Sequence, residues 1–171
     1  MMPKLSDKQK GVAKGMALAA GTVVVSFGAT ASLCQRADNR RHSFKALLGP
    51  AMCLAGNIGI IAKHRFFTPE DIDGSGMTKG SNTVKILQAT LQNTLEQAAL
   101  AVPVFLMTPP ELQPLPLTSS ALFVIGRMFF WRGYSHGAPS RAFGFALTFY
   151  STVSLLVMNI GTTAMEWAGG K

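Results

Sequence analysis

An all-α integral membrane fold is what this chain predicts, on three observations. Mean hydropathy is +0.27, with 48% apolar and only 14% charged residues, against roughly 25% charged in soluble domains. Apolar runs recur at Gly15–Cys34, Ala46–Ala62, Ile86–Thr108, Pro116–Tyr134 and Ala142–Ala164, each near the ~20 residues that span a bilayer as helix. None of them alternates apolar and polar residues over about ten positions, as the strands of a membrane barrel do. Four or five membrane helices in one domain follow.

Lys4, Lys8, Lys10 and Lys14 precede the first run, which favours an inside N-terminus. That run either spans or is the apolar core of a cleaved signal peptide, with Ala29-Thr30-Ala31 as a small-residue cleavage site. The basic lead before it is long for a signal peptide. The second run is short, and borrows Phe44 or lets Lys45 and Lys63 snorkel. After it comes the one long polar stretch, HRFFTPEDIDGSGMTKGSN, with Pro69, Asp71, Asp73, Gly74 and Gly76. Asp71-Ile72-Asp73-Gly74 resembles the start of a calcium loop, but the later acidic ligands are missing, so a capped loop is expected. Pro109-Pro110 ends the third run, because proline lacks the amide donor and disfavours helix in the residue before it. Pro139 marks the entrance to the last.

Charge sets the orientation. TPPELQPLPL, between the third and fourth runs, has no Lys or Arg, whereas Lys63, Arg65, Lys79 and Lys85 flank the loop before and Arg132 and Arg141 the loop after. The proline-rich link is therefore outside. Arg36, Arg40, Arg41 and Lys45 conflict with this layout, since they too fall outside if all five runs span. A net charge of +8 accompanies no nucleic-acid-binding motif; the basic loops hold topology and meet anionic headgroups. Cys34 and Cys53 have no CxxC spacing, so neither a disulfide framework nor a metal site is indicated. His42, His64 and His136 sit singly at segment ends, as interfacial anchors rather than converging metal ligands. No internal repeat or pair of broken helices points to a transporter.

Polar groups at membrane depth are the informative exception, because they are costly and mark functional sites. Asn93 and Glu96, three apart, share a helix face, which Gln92 joins four residues before Glu96. Arg127 and Tyr134 are two turns apart on one stripe of the next segment. At 1.5 Å per residue, Glu96 and Arg127 lie roughly 20 and 16 Å from the outer turn. A buried Glu96–Arg127 ion pair is expected, either fixing helix register or serving a site. Arg141, near the start of the last helix, meets the positive end of its dipole. A bound anion relieves that conflict, and helix N-termini bind carboxylates and phosphates readily; lipid phosphate is the alternative partner. Arg132, Arg141, Tyr134 and the face around Asn93 then outline an inward-facing pocket for an acidic small molecule.

LQNTLEQAALAVPVF, then GRMFFWRGYSHGAPSRAFGF, with TPEDIDGSG upstream, resembles the MAPEG family, membrane-associated proteins in eicosanoid and glutathione metabolism, and within it the bacterial branch. The resemblance covers roughly Ala46 to Ala164. It implies a homotrimer of four-helix subunits in a bacterial inner membrane, binding glutathione between subunits at the cytoplasmic side. Residues 1–44 are then a basic segment and an additional membrane helix, and residues 45–168 the four-helix domain. By the same resemblance Asn93 and Glu96 contact glutathione and organise the site, Arg127 lies near that glutamate, Tyr134 contacts glutathione, and Arg141 lies near its thiol as the catalytic group. The second substrate implied is a lipophilic electrophile or hydroperoxide arriving from the bilayer, against Phe129, Phe130 and Phe145. The chain departs from the family's enzymes at Gln92, where a basic residue is frequent, at Ala142 and Phe145, where hydroxyls occur, and near Ile60, where no arginine stands.

Overall fold

Among the described residues five long helices form, one for each apolar run. The computed structural model describes residues 6–33, 41–74 and 80–169, the side chains of Leu33 and Arg41 apart; Lys4, Cys34, Arg36, Arg40, Gly76 and Lys79 lie outside the described residues. The helices are α1 (Asp7–Leu33), the short α2 (Arg41–Ala46), α3 (Leu48–Phe67), α4 (Asn82–Leu106), α5 (Leu115–Tyr134) and α6 (Ala138–Ala168), and there is no strand among the described residues. Among the described residues three stretches are long and apolar enough to cross a membrane: Asp7–Ser32, His42–Phe67 and Ala138–Ala168. Against the expected four or five, three qualify on apolarity. Gln88, Gln92, Asn93, Glu96 and Gln97 lower it in α4, and Arg127 and Arg132 in α5.

Contacts at the helix ends fix the directions. A Cβ on Gly11 would meet Pro139, and one on Gly15 would meet Phe143, so the start of α1 lies beside the start of α6. At the far end Thr30 Oγ1 and Thr118 Oγ1 are 2.7 Å apart, which puts the end of α1 beside the start of α5. Helix α1 therefore runs parallel to α6 and antiparallel to α5. Its buried stripe is Ala19, Val23 and Phe27, four residues apart as one helix face requires. The basic start of α1 therefore lies at the same end of the bundle as Arg132 and Arg141.

Glycines bring α5 and α6 together. A Cβ on Gly144 would collide with the backbone of Phe130 and Gly126, and one on Gly126 with Thr148 Oγ1. Backbones approach this closely in membranes only where side chains are small. Gly126 is thus packed inside the chain.

The polar loop after α3 is capped from within. Asp71 is 1% exposed, and accepts from the Ser81 hydroxyl at 2.6 Å and the Ser81 amide at 2.8 Å, with His64 Nε2 2.8 Å away. Ser81 in turn accepts from the Val84 amide as the N-cap of α4. His64 is thus a partner of Asp71 rather than an interfacial anchor. The Ser81 hydroxyl, then the Ser81 amide, and less strongly His64 hold the Asp71 carboxyl below its ordinary value, outweighing the opposite push of burial. A depressed folded-state pKa means stability that is present above the unfolded value, about 3.9, and lost as pH falls through the folded one. Wild type should accordingly lead Asp71→Asn in thermal stability by a constant margin above about pH 5, and by a shrinking one below about pH 4. A margin independent of pH would remove the carboxylate from this role.

Candidate functional site

Arg127 lies at the centre of the bundle with 0% exposure. Its Nη1 donates to Asn93 Oδ1 at 2.7 Å and its Nε to Thr148 Oγ1 at 3.2 Å, and its guanidinium carbon stands 4.3 Å from the Phe130 ring centroid. Thr148 can accept because its own hydroxyl proton goes to the Gly144 carbonyl. The remaining nitrogen, Nη2, is buried with no hydrogen-bond partner. No carboxylate lies within ion-pairing distance of this cation among the described residues.

The Glu96–Arg127 pair is therefore not formed within the chain. Helix α4 buries Thr90, Thr94, Gln97, Ala98 and Ala101, and that rotation carries Glu96 to the exposed side. There Glu96 accepts from Gln92 Nε2 at 3.0 Å, as their spacing predicts. Asn93, one turn nearer the inner end, meets Arg127 instead.

From this polar centre a cavity of about 560 Å³ opens between α1, α4, α5 and α6, within the 300–1,000 Å³ usual for small-molecule sites. Asn93, Tyr134 and Arg141 reach it together. The Arg141 guanidinium lies 4.4 Å from the Tyr134 ring centroid, and Tyr134 meets Phe130 edge-on at 5.3 Å, so aromatic faces hold the cation in place. Arg141 is in the first turn of α6, as expected. Gly137 at the N-cap offers no side-chain cap, and Ala138 and Ala142 line the cavity too. Helix N-terminus and cation thus converge on one space, an arrangement suited to an anion.

Several expectations are corrected here. Arg132 is exposed and does not line the cavity. Phe130 and Phe145 do, while Phe129 is exposed and packs edge-on against Phe143 at 5.2 Å. Sequence reasoning missed Phe149, whose spacing of four from Phe145 was a usable signal, and Tyr150, whose spacing of five was not. Val12 and Met16 of α1 also line the cavity, and carried no such signal because only the packing of α1 reveals them.

The model of the MAPEG family matches residues 14–161. The chain belongs to the MAPEG family. The match begins inside α1 and ends within α6, so it contains all five residues the resemblance singled out. The MAPEG family includes glutathione transferases and peroxidases, and membership together with the apolar helices supports an integral membrane protein. No curated protein and no solved structure matches the chain.

Proposed function

We propose that this MAPEG protein is an integral-membrane glutathione-dependent transferase or peroxidase acting on lipophilic electrophiles or hydroperoxides, in a bacterial inner membrane with its pocket toward the cytoplasm. One observation carries the reading: Arg141, Tyr134 and Asn93 converge on a single cavity at the free N-terminus of α6, with the unneutralised Arg127 behind them. Glutathione brings two carboxylates and a thiol. The cation at the helix start, with Asn93 and Tyr134 beside it, suits such an anion, so the residues present fit it.

In this reading Asn93 and Tyr134 bind and orient the tripeptide, and Arg127 fixes Asn93. Arg141 and the α6 N-terminus favour the thiolate, which is the nucleophile. The apolar walls at Phe130, Phe145 and Phe149 admit the lipophilic partner and exclude water. Glutathione binding by the purified protein in detergent, followed by calorimetry and thiolate absorbance, tests the reading. Binding without turnover on any model electrophile or hydroperoxide would favour a non-catalytic glutathione- or lipid-binding protein, which Ala142 and Phe145 in place of hydroxyls also favour.

Assembly as a homotrimer belongs to the same proposal. Gln92 and Glu96 are exposed on a helix otherwise suited to the membrane, where lipid would solvate them poorly. A neighbouring subunit covering this face of α4 removes that cost and returns Glu96 to the site. Native mass spectrometry in mild detergent should give trimer for wild type. Monomer or dimer alone would refute the shared site.

A further inference from the structure

We propose that Lys8 of α1 is the second cation of the site, takes the glycyl carboxylate of the tripeptide, and so makes the site selective for a free peptide C-terminus. This rests on the reading of the cavity as a glutathione site. Glutathione with its thiol ionised carries two carboxylates, a thiolate and one ammonium, a net charge of two negative. Among the described residues lining the cavity Arg141 is the one basic side chain, and no carboxylate lines it. One negative charge of the ligand is left without a partner, and a second cation at the mouth would supply it.

Of the lysines in the first turns of α1, Lys8 alone is turned the right way. An α-helix advances about 100° per residue, so Lys8, four residues before Val12, stands about 40° from it, and Met16 about 40° to the other side. Val12 and Met16 line the cavity, and Lys8 shares a recess with them and with Ala138, the first residue of α6. Lys10 and Lys14 are each two residues from Val12, about 160° round the helix, and point away. Lys10 is also tied to Asp7 at 3.0 Å. Register then sets the height. Gly11 abuts Pro139 and Gly15 abuts Phe143, so the parallel helices keep one offset, and Arg141 is level with Ala13. Lys8 thus lies five residues, or roughly 7.5 Å of rise, outside Arg141. Two peptide residues span about 7 Å at full extension, so a cysteine with its sulfur at Arg141 brings the carboxylate of the following glycine to the level of Lys8. The γ-glutamyl end is the poorer match, because its own ammonium stands beside the carboxylate and repels a lysine.

Calorimetry on the full chain in neutral detergent tests this with two probes: glutathione, and its glycyl monoethyl ester, which lacks the carboxylate in question. Lys8→Met should weaken glutathione about fivefold, the upper end for a solvent-exposed ion pair, and leave the affinity of the ester unchanged. Lys8→Arg should keep the affinity of wild type for both. Lys10→Met and Lys14→Met should leave both probes unchanged, which separates one placed charge from the general basicity that anionic headgroups sense at all three lysines alike. The three lysines are exposed, and methionine matches lysine in helix propensity, so the variants keep the fold. Unchanged glutathione affinity in Lys8→Met, equal losses in the three methionine variants, or equal losses of glutathione and ester in Lys8→Met would each overturn the assignment of Lys8 while leaving glutathione in the cavity. No binding of glutathione by wild type would overturn both readings.

Discussion

Asn93→Leu should cost the detergent-solubilised protein about 2–3 kcal/mol, the upper range for a hydrogen bond to a charged group. The substitution leaves Arg127, already fully buried and short of one partner at Nη2, with Thr148 as its one remaining hydrogen-bond acceptor. Arg127→Met in the same chain should recover most of the loss, because an apolar pair of similar volume avoids burying an unsatisfied cation. Measured on the dissociated subunit, Glu96→Gln should change stability by about 0.5 kcal/mol or less, since within one chain it alters only an exposed contact with Gln92. Equilibrium unfolding of the four proteins decides between partners. A large cost for Glu96→Gln beside a small one for Asn93→Leu would restore the ion pair that the sequence suggested.

That contrast also marks how far the sequence could be read. Depth was legible: with 1.5 Å of rise per residue, counting residues from the proline-rich link matches Arg127 to the Asn93–Glu96 turn of α4. Azimuth was not. Asn93 and Glu96 are one turn apart, and choosing between them requires knowing which stripe of α4 is buried. That stripe contains Thr90, Thr94 and Gln97 beside Ala98 and Ala101, so apolar periodicity does not reveal it. Helix existence, by contrast, followed directly from apolar run length, and the end of α4 and the start of α6 from proline placement.

The place of α1 was illegible for a related reason. Gly15–Cys34 read as a spanning helix or a leader, and nothing in its composition named the element it touches. The partner is set by shape, through Gly11 and Gly15 against the first turns of α6, and shape complementarity between two apolar surfaces leaves little trace in one of them. The same contact brings Val12 and Met16 to the cavity, which explains why the polar part of the site was found by sequence and much of its apolar wall was not.

Arg141→Ala should have the largest effect on chemistry, provided glutathione binds. The guanidinium and the α6 N-terminus both favour a thiolate in the cavity, and removing the nearer cation should raise the bound thiol's pKa by roughly 1–3 units. Each unit lowers the thiolate fraction about tenfold once the pKa lies above the working pH, so turnover near neutrality should fall by a similar factor while affinity falls less. Tyr134 separates positioning from hydrogen bonding. Tyr134→Phe keeps the ring on which Arg141 rests, at 4.4 Å in wild type, and should weaken binding by about 1 kcal/mol at most while leaving the thiol pKa unchanged. Tyr134→Ala removes the ring, frees Arg141 to turn away, and should reproduce part of the Arg141→Ala shift. A pH titration of thiolate absorbance for the three variants, beside calorimetric affinities, makes the comparison. Equal thiol pKa values in wild type and Arg141→Ala would leave the helix terminus alone to activate sulfur and reduce Arg141 to a binding residue.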